Sequence, residues 1–157
     1  MPTTAAEHAW RRDGWEISDD AARIDLARVH AWLSRESYWS SGIPLATLER
    51  AIGNSLVFGL YREGTQSGFA RVITDRATFA YLCDVWIEQS VRGAGLGTWL
   101  LECVFAHPDL RGLRRFCLMT RDAHGLYAKF GFVPMPDPTR YLEINDRDIY
   151  QRPQEAA

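Results

Sequence analysis

The stretch Asp84-Val85-Trp86-Ile87-Glu88-Gln89-Ser90-Val91-Arg92-Gly93-Ala94-Gly95-Leu96-Gly97-Thr98-Trp99 decides the fold. Its first residues close an apolar, strand-like run that begins at Thr78. Its last residues open a different period. Leu96, Trp99, Leu100, Cys103 and Val104 recur at helical spacing, so a helix starts after Gly95 and ends before Pro108. Between them lies a glycine-rich turn. A strand feeding such a turn into a helix brings backbone N–H groups together at one point, because the first turn of a helix has unpaired donors and the positive end of the peptide dipoles.

Reading outward, Phe116 to Met119 forms a buried strand after the helix. Asp122 caps a short helix carrying Leu126, Tyr127 and Phe130, Gly131 stops it, and Tyr141 to Ile144 forms a last strand. Upstream, Leu56 to Tyr61 and Phe69 to Ile73 are strands joined at Arg62-Glu63-Gly64, with a second turn at Asp75-Arg76. Further back, Trp15 to Ser18 forms a short strand, and Ser18 or Asp19 caps a helix through about Leu33. The aromatic loop Ser37 to Gly42 leads to Pro44, which opens a helix with Leu45, Leu48 and Ile52 on one side and Gly53 as its stop. The order β-α-α-β-β-β-α-β-α-β implies a single α/β domain with a mixed sheet flanked by helices. The sheet is antiparallel at first and gains a βαβ crossover in its second half. Residues 1–13 and 147–157 are expected to be flexible tails, and the motif-bearing core spans residues 56–132.

Phosphates bind at helix N-termini of this kind. Gly93, Gly95 and Gly97 let a pyrophosphate approach the main chain, and Arg92 adds a fixed cation. The alternative is a tight turn whose glycines serve packing alone. Other phosphate loops fit poorly: a Walker loop needs the Gly-Lys-Ser/Thr that is missing here, and a dinucleotide fingerprint needs Gly-x-Gly-x-x-Gly after an early parallel strand, not Gly-x-Gly-x-Gly after a meander.

On these residues the chain resembles the GNAT superfamily of N-acetyltransferases. Its signature Gln/Arg-x-x-Gly-x-Gly/Ala is matched by Arg92, Gly95 and Gly97. Asp84-Val85-Trp86-Ile87 is similar to the family's fourth strand, and Leu126-Tyr127-Ala128-Lys129-Phe130-Gly131-Phe132 to its Leu-Tyr-x-Lys-x-Gly-Phe ending. The resemblance implies an enzyme that transfers an acetyl group from acetyl-CoA to an amine, without a metal. Acetyl-CoA would be held by Val85, Trp86, Ile87, Arg92, Gly93, Ala94, Gly95, Leu96, Gly97, Thr98, Arg121 and Lys129. The family often has an asparagine where this chain has Arg121, which either pairs with a phosphate or is solvated.

In the mechanism the resemblance implies, an amine attacks the thioester carbonyl and the CoA thiolate leaves, so a base, an oxyanion donor and an acid are needed. Tyr127 matches the family's tyrosine and is the acid, a phenol being protonated at pH 7; the alternative is a core aromatic. A backbone N–H near Val85 or Trp86 would serve the oxyanion. Asp84, an acid inside an apolar strand, is either the base or a carboxylate bonded to a loop or an arginine. Glu88 and a water chain are the other bases. Tyr38 and Trp39 either contact the acceptor or cover the core. A domain that binds or senses acyl-CoA without turnover is the alternative function.

Of the 157 residues 46% are apolar and 24% charged, as in ordinary globular domains, and a chain of this length buries roughly 70% of its unfolded surface. A net charge of −2 offers no field for a polyanion, so nucleic acid is not an expected partner. Cys83, Cys103 and Cys117 show no paired spacing and read as reduced core residues; the four histidines form no cluster, so no metal site is expected. No stretch approaches the ~18 apolar residues of a membrane span, and there is no basic-then-apolar leader. The expectation is a cytoplasmic monomer or homodimer acting on a small-molecule or peptide amine.

Overall fold

The computed structural model describes residues 7–153. Six strands form one sheet in sequential order: β1 (Ala9–Arg12), β2 (Trp15–Ser18), β3 (Leu56–Arg62), β4 (Thr65–Thr74), β5 (Phe79–Ile87) and β6 (Arg115–Leu118). All neighbours are antiparallel except β5 and β6, which run parallel and are connected through α3 (Leu96–Ala106). The expected α/β architecture, with its antiparallel meander and βαβ crossover, is therefore present.

β1 lies inside the stretch read as an N-terminal tail; residues 1–6 and 154–157 of the two expected tails fall outside the described residues. It is paired to β2 through Asp13 and Gly14, both at positive φ, the geometry a two-residue Asp-Gly hairpin requires. Glu63 and Gly64 make the same kind of turn between β3 and β4, as the sequence suggested. At the other end, Gln151 Nε2 donates to the Ser41 carbonyl and Tyr150 packs against the apolar cluster that includes Val29 and Trp32.

One sheet face is covered by α3 and the short α4 (His124–Ala128), over a core of Phe58, Leu60, Val72, Leu82 and Leu100. α1 (Leu26–Glu36) and α2 (Leu45–Gly53) cover the other, burying Val29, Leu33, Leu48, Val57 and Phe69. α1 begins later than expected. Ser18 still pairs with Gly59 in the sheet, and Asp19 accepts from the His8 N–H and from the rings of His8 and His107. Asp20 instead caps a short 3-10 turn, and Asp25 caps α1 by accepting from the Arg28 N–H. In α2, Gly53 is the last helical residue rather than a left-handed stop, and Leu45 is exposed.

Three further expectations are corrected. β6 is half-buried and Met119 exposed, because β6 is the last strand and has a neighbour on one side only. Tyr141 to Ile144 do not extend the sheet, and Leu142 and Ile144 are fully open to solvent. Pro134, Pro136 and Pro138 remove N–H donors, and a 3-10 turn over Pro138–Arg140 redirects the chain. Asp122 does not cap α4; the Ala123 N–H is satisfied by Thr120 Oγ1.

His8 and His107, far apart in sequence, converge on Asp19. His107 Nδ1 accepts the Asp109 N–H, so its proton sits on Nε2 and is donated to Asp19. Burial raises the Asp19 pKa, and the hydrogen bonds from the His8 backbone and the two rings outweigh it, leaving the carboxyl below its ordinary value. The three cysteines are free, and burial pushes Cys83 and Cys103 up to about 12, which keeps them as thiols. Among the described residues no helix is long and apolar enough to cross a membrane.

Candidate functional site

The site begins with a fault in the β4–β5 ladder. Arg71 pairs with Asp84 but Val72 pairs with Leu82, so Cys83 is an extra residue, a β-bulge. The bulge reverses the facing of the strand. Leu82 packs on the α3 side, and so do Val85 and Ile87, whereas Trp86 enters the cluster under α1 and α2. β6 pairs with β5 only as far as Leu82, so beyond that point the open edge of β5 borders a cleft.

On the same cleft, against the end of β5, stands the glycine loop. A 3-10 turn over Gln89–Val91 leads to Arg92, whose Nε donates to the Ile87 carbonyl at 2.8 Å. Gly93 (φ 88°) and Gly95 (φ 76°) are left-handed, and Gly95 caps α3 with no side-chain bond. The Trp99 N–H is the first to reach an intrahelical carbonyl, that of Gly95, which leaves the donors of Leu96, Gly97 and Thr98 to the cleft. A Cβ at Gly93 or Gly95 would meet nothing within 4 Å, and at Gly97 only Ile87 at 3.6 Å. Packing therefore does not explain these glycines. Left-handed backbone and open approach do, and they fit a cradle for a phosphate.

The cleft encloses about 730 Å³, a volume suited to a ligand site. Its far wall comes from α1 and the loop behind it. Trp32 stacks on Trp86 (5.5 Å, 19°), Trp39 stands edge-on to Trp32 (5.8 Å), and Tyr38 edge-on to Trp39 (5.0 Å). Arg121 covers Tyr38 with its guanidinium carbon 4.1 Å from the ring. Trp39 is held from behind: its Nε1 donates to Asp84 Oδ1 at 2.8 Å, while Arg71 Nε donates to Asp84 Oδ2 at 2.7 Å and Arg71 also donates to Ser55 Oγ. Asp84 is 3% exposed. Burial disfavours the charge on Arg71, and the Asp84 carboxylate overrides it and raises the pKa.

Of the residues singled out in the sequence, Tyr38, Trp39, Val85, Trp86, Ile87, Arg92, Gly93, Gly95, Leu96, Gly97 and Thr98 line this one cleft. Ala94 and Lys129 are exposed and not on its surface, and Arg121 is stacked on Tyr38. Asp84 sits behind the aromatic wall. Glu88 is paired with Arg28 at 2.5 Å. Tyr127 does not line the cleft: it is half-buried against the α3-side core and Phe132, its neighbour in sequence Leu126 is on the cleft surface, and burial raises the Tyr127 pKa. Sequence reasoning missed Trp32, Glu36, Asp122 and the partner Arg71. For Glu36 a signal existed: an acid in a helix's last turn, immediately before an aromatic loop.

The family model for the acetyltransferase (GNAT) domain matches residues 53–134. A Gibberella zeae protein described as an acetyltransferase is 34% identical over 142 residues, covering 76% of this chain and 79% of its own. A crystal structure from Xanthomonas campestris pv. campestris, described as an acetyltransferase of the GNAT family, is 46% identical, covers 88% of this chain and 97% of its own, and superposes with a TM-score of 0.86. A GNAT acetyltransferase from Elizabethkingia anophelis with acetyl-CoA bound shares the fold at 12% identity, covering 76% of each chain, with a TM-score of 0.56. With the glycine loop, the opened strand and the crossover helix assembled around one cleft, the chain belongs to the GNAT acetyltransferase family.

Proposed function

We propose that the protein transfers the acetyl group of acetyl-CoA to an amine in the cytoplasm, with the cofactor along the open edge of β5 and its pyrophosphate at Arg92–Thr98. The observation that carries this reading is the pair of left-handed glycines before an uncapped helix, facing the same cleft as β5 beyond the bulge. Bound there, acetyl-CoA supplies an activated thioester carbonyl. The chain's part is positioning and proton handling. Main-chain N–H groups of Leu96, Gly97 and Thr98 hold the phosphates, and the edge of β5 near Val85 and Trp86 offers alternate N–H groups to the pantetheine arm and the carbonyl oxygen. Tyr127 protonates the leaving sulfur; its raised pKa keeps the phenol protonated across the working range. Asp84, with both oxygens engaged by Trp39 and Arg71, is assigned to positioning the aromatic wall rather than to accepting the amine proton, which leaves through water.

The test is a melting experiment with acetyl-CoA followed by thiol release with a panel of amines. At a hundredfold excess over Kd, binding adds about 2.7 kcal/mol. A melting temperature indifferent to saturating acetyl-CoA overturns the cofactor site. Protection without thiol release overturns the transfer reaction and leaves a binding domain.

A further inference from the structure

The cleft is bipolar: the glycine loop presents donors and Arg92, and α1 with its following loop presents aromatic rings and the carboxylate of Glu36, while Asp122 adds a second carboxylate next to Arg121, which covers one face of Tyr38. On α1 and its following loop the polar groups next to Glu36 are engaged. The Trp39 N–H is given to Asp84, and the Ser37 hydroxyl donates to the Leu33 carbonyl and accepts from the Ser40 N–H. Glu36 differs. It is the last residue of α1, the end at which the helix dipole disfavours a negative charge, and it has no ion-pair partner among the described residues. Tyr38 and Trp39 beside it are 61% and 44% exposed, apolar surface a bound ligand would cover, and Trp39 is locked in place by its bond to Asp84.

We infer that the acceptor is a primary amine on a flat aromatic body, an arylalkylamine, whose ring lies against Trp39 and Tyr38 and whose ammonium is held by Glu36. The inference rests on the acetyltransferase reading of the site. A hydroxyl-rich acceptor would be desolvated against ring surface that returns few hydrogen bonds, whereas an arene gains contact with Trp39 and with the face of Tyr38 that Arg121 leaves open, and the cation gains a carboxylate. The reaction balances: the nitrogen–carbon bond forms as the carbon–sulfur bond breaks, one ammonium proton goes to the sulfur, one to solvent, and one stays on the amide. The neutral amide no longer pairs with Glu36, which favours release of product over substrate.

The test measures thiol release from acetyl-CoA with 2-phenylethylamine, ethanolamine and glucosamine. The arylalkylamine is expected to show kcat/KM more than about tenfold above the other two. Glu36→Gln should raise its KM by about tenfold and leave kcat within about twofold; Trp39→Leu should erase the preference for the ring. A preference for ethanolamine or glucosamine, or a KM unmoved by Glu36→Gln, overturns the inference. If no amine is turned over, calorimetric titration of 2-phenylethylamine into CoA-saturated protein decides it. Binding that Glu36→Gln weakens supports the aromatic site although the transfer reading has failed, and no binding overturns it.

Discussion

The two walls of the cleft are built by opposite means. On the loop side, at Arg92–Thr98, the working groups belong to the backbone, set by two left-handed glycines and the start of α3. On the aromatic side they are side chains from α1, its following loop and β5, clamped by a carboxylate and a guanidinium from the sheet. A backbone wall tolerates most side-chain changes and fails only where Cβ or charge intrudes. A side-chain wall fails wherever one member of its network is removed. The substitutions below are chosen to separate these two behaviours.

The largest effect is expected from neither wall. Tyr127→Phe should lower kcat by about 10²–10⁴-fold with acetyl-CoA protection unchanged, since in the proposed mechanism the hydroxyl acts on the leaving sulfur and hardly on the bound ground state. Wild-type activity should show no alkaline loss attributable to this group until above pH ~10, because its pKa is raised. Unchanged turnover in the phenylalanine variant returns Tyr127 to the core.

Asp84→Asn is the sharpest cut through the aromatic wall. It leaves Arg71, 16% exposed, without its counter-charge, and should cost about 3 kcal/mol in urea unfolding. Acetyl-CoA should still protect the variant, and the acidic limb of its pH–rate profile should persist. Loss of that limb with stability intact would make Asp84 the base and undo its assignment to positioning.

Gly95→Glu addresses the loop wall alone. It places bulk and negative charge at a left-handed helix start and should remove the about 2.7 kcal/mol of ligand protection expected at a hundredfold excess, a shift of roughly 5–11 °C. Tryptophan fluorescence of the opposite wall should stay as in the parent. Full protection in the variant would move the phosphate site elsewhere.

The smallest effect lies outside both walls. Asp19 ties β1 to His107, and its folded-state pKa lies below the unfolded one. A depressed carboxyl pKa contributes stability that is present above the unfolded value, near 3.9, and is lost as pH falls through the folded value. The urea midpoint should therefore drop more steeply below pH 4 in the parent than in Asp19→Asn, with ligand protection alike in both at neutral pH. Parallel pH curves would show that Asp19 contributes nothing specific.

What was legible in the chain was local. Gly95 after an apolar run and before Leu96, Trp99 and Leu100 specifies a strand, a left-handed turn and a helix through consecutive residues, and the donors of the loop follow from the same few positions. The Asp13-Gly14 turn is equally local and equally informative, so β1 is legible in the chain even though the polar start reads as a tail. Asp84 stood out because an acid inside an apolar strand needs a partner, although the chain did not say which. That partner set is long-range: Trp39 lies 45 residues from Asp84 and Arg71 lies 13. Only the bulge at Cys83, a register shift that no residue type announces, turns Asp84 and Trp86 toward α1 while Val85 and Ile87 face α3. Likewise α1 starts at Leu26 because Asp19 is drawn to His8 and His107, and Glu36 reaches the cleft because α1 packs across Trp86. Local propensity and glycine chemistry act between neighbours in sequence and determined the glycine-loop wall; the aromatic wall was decided by which faces of sheet and helix meet, which only packing sets.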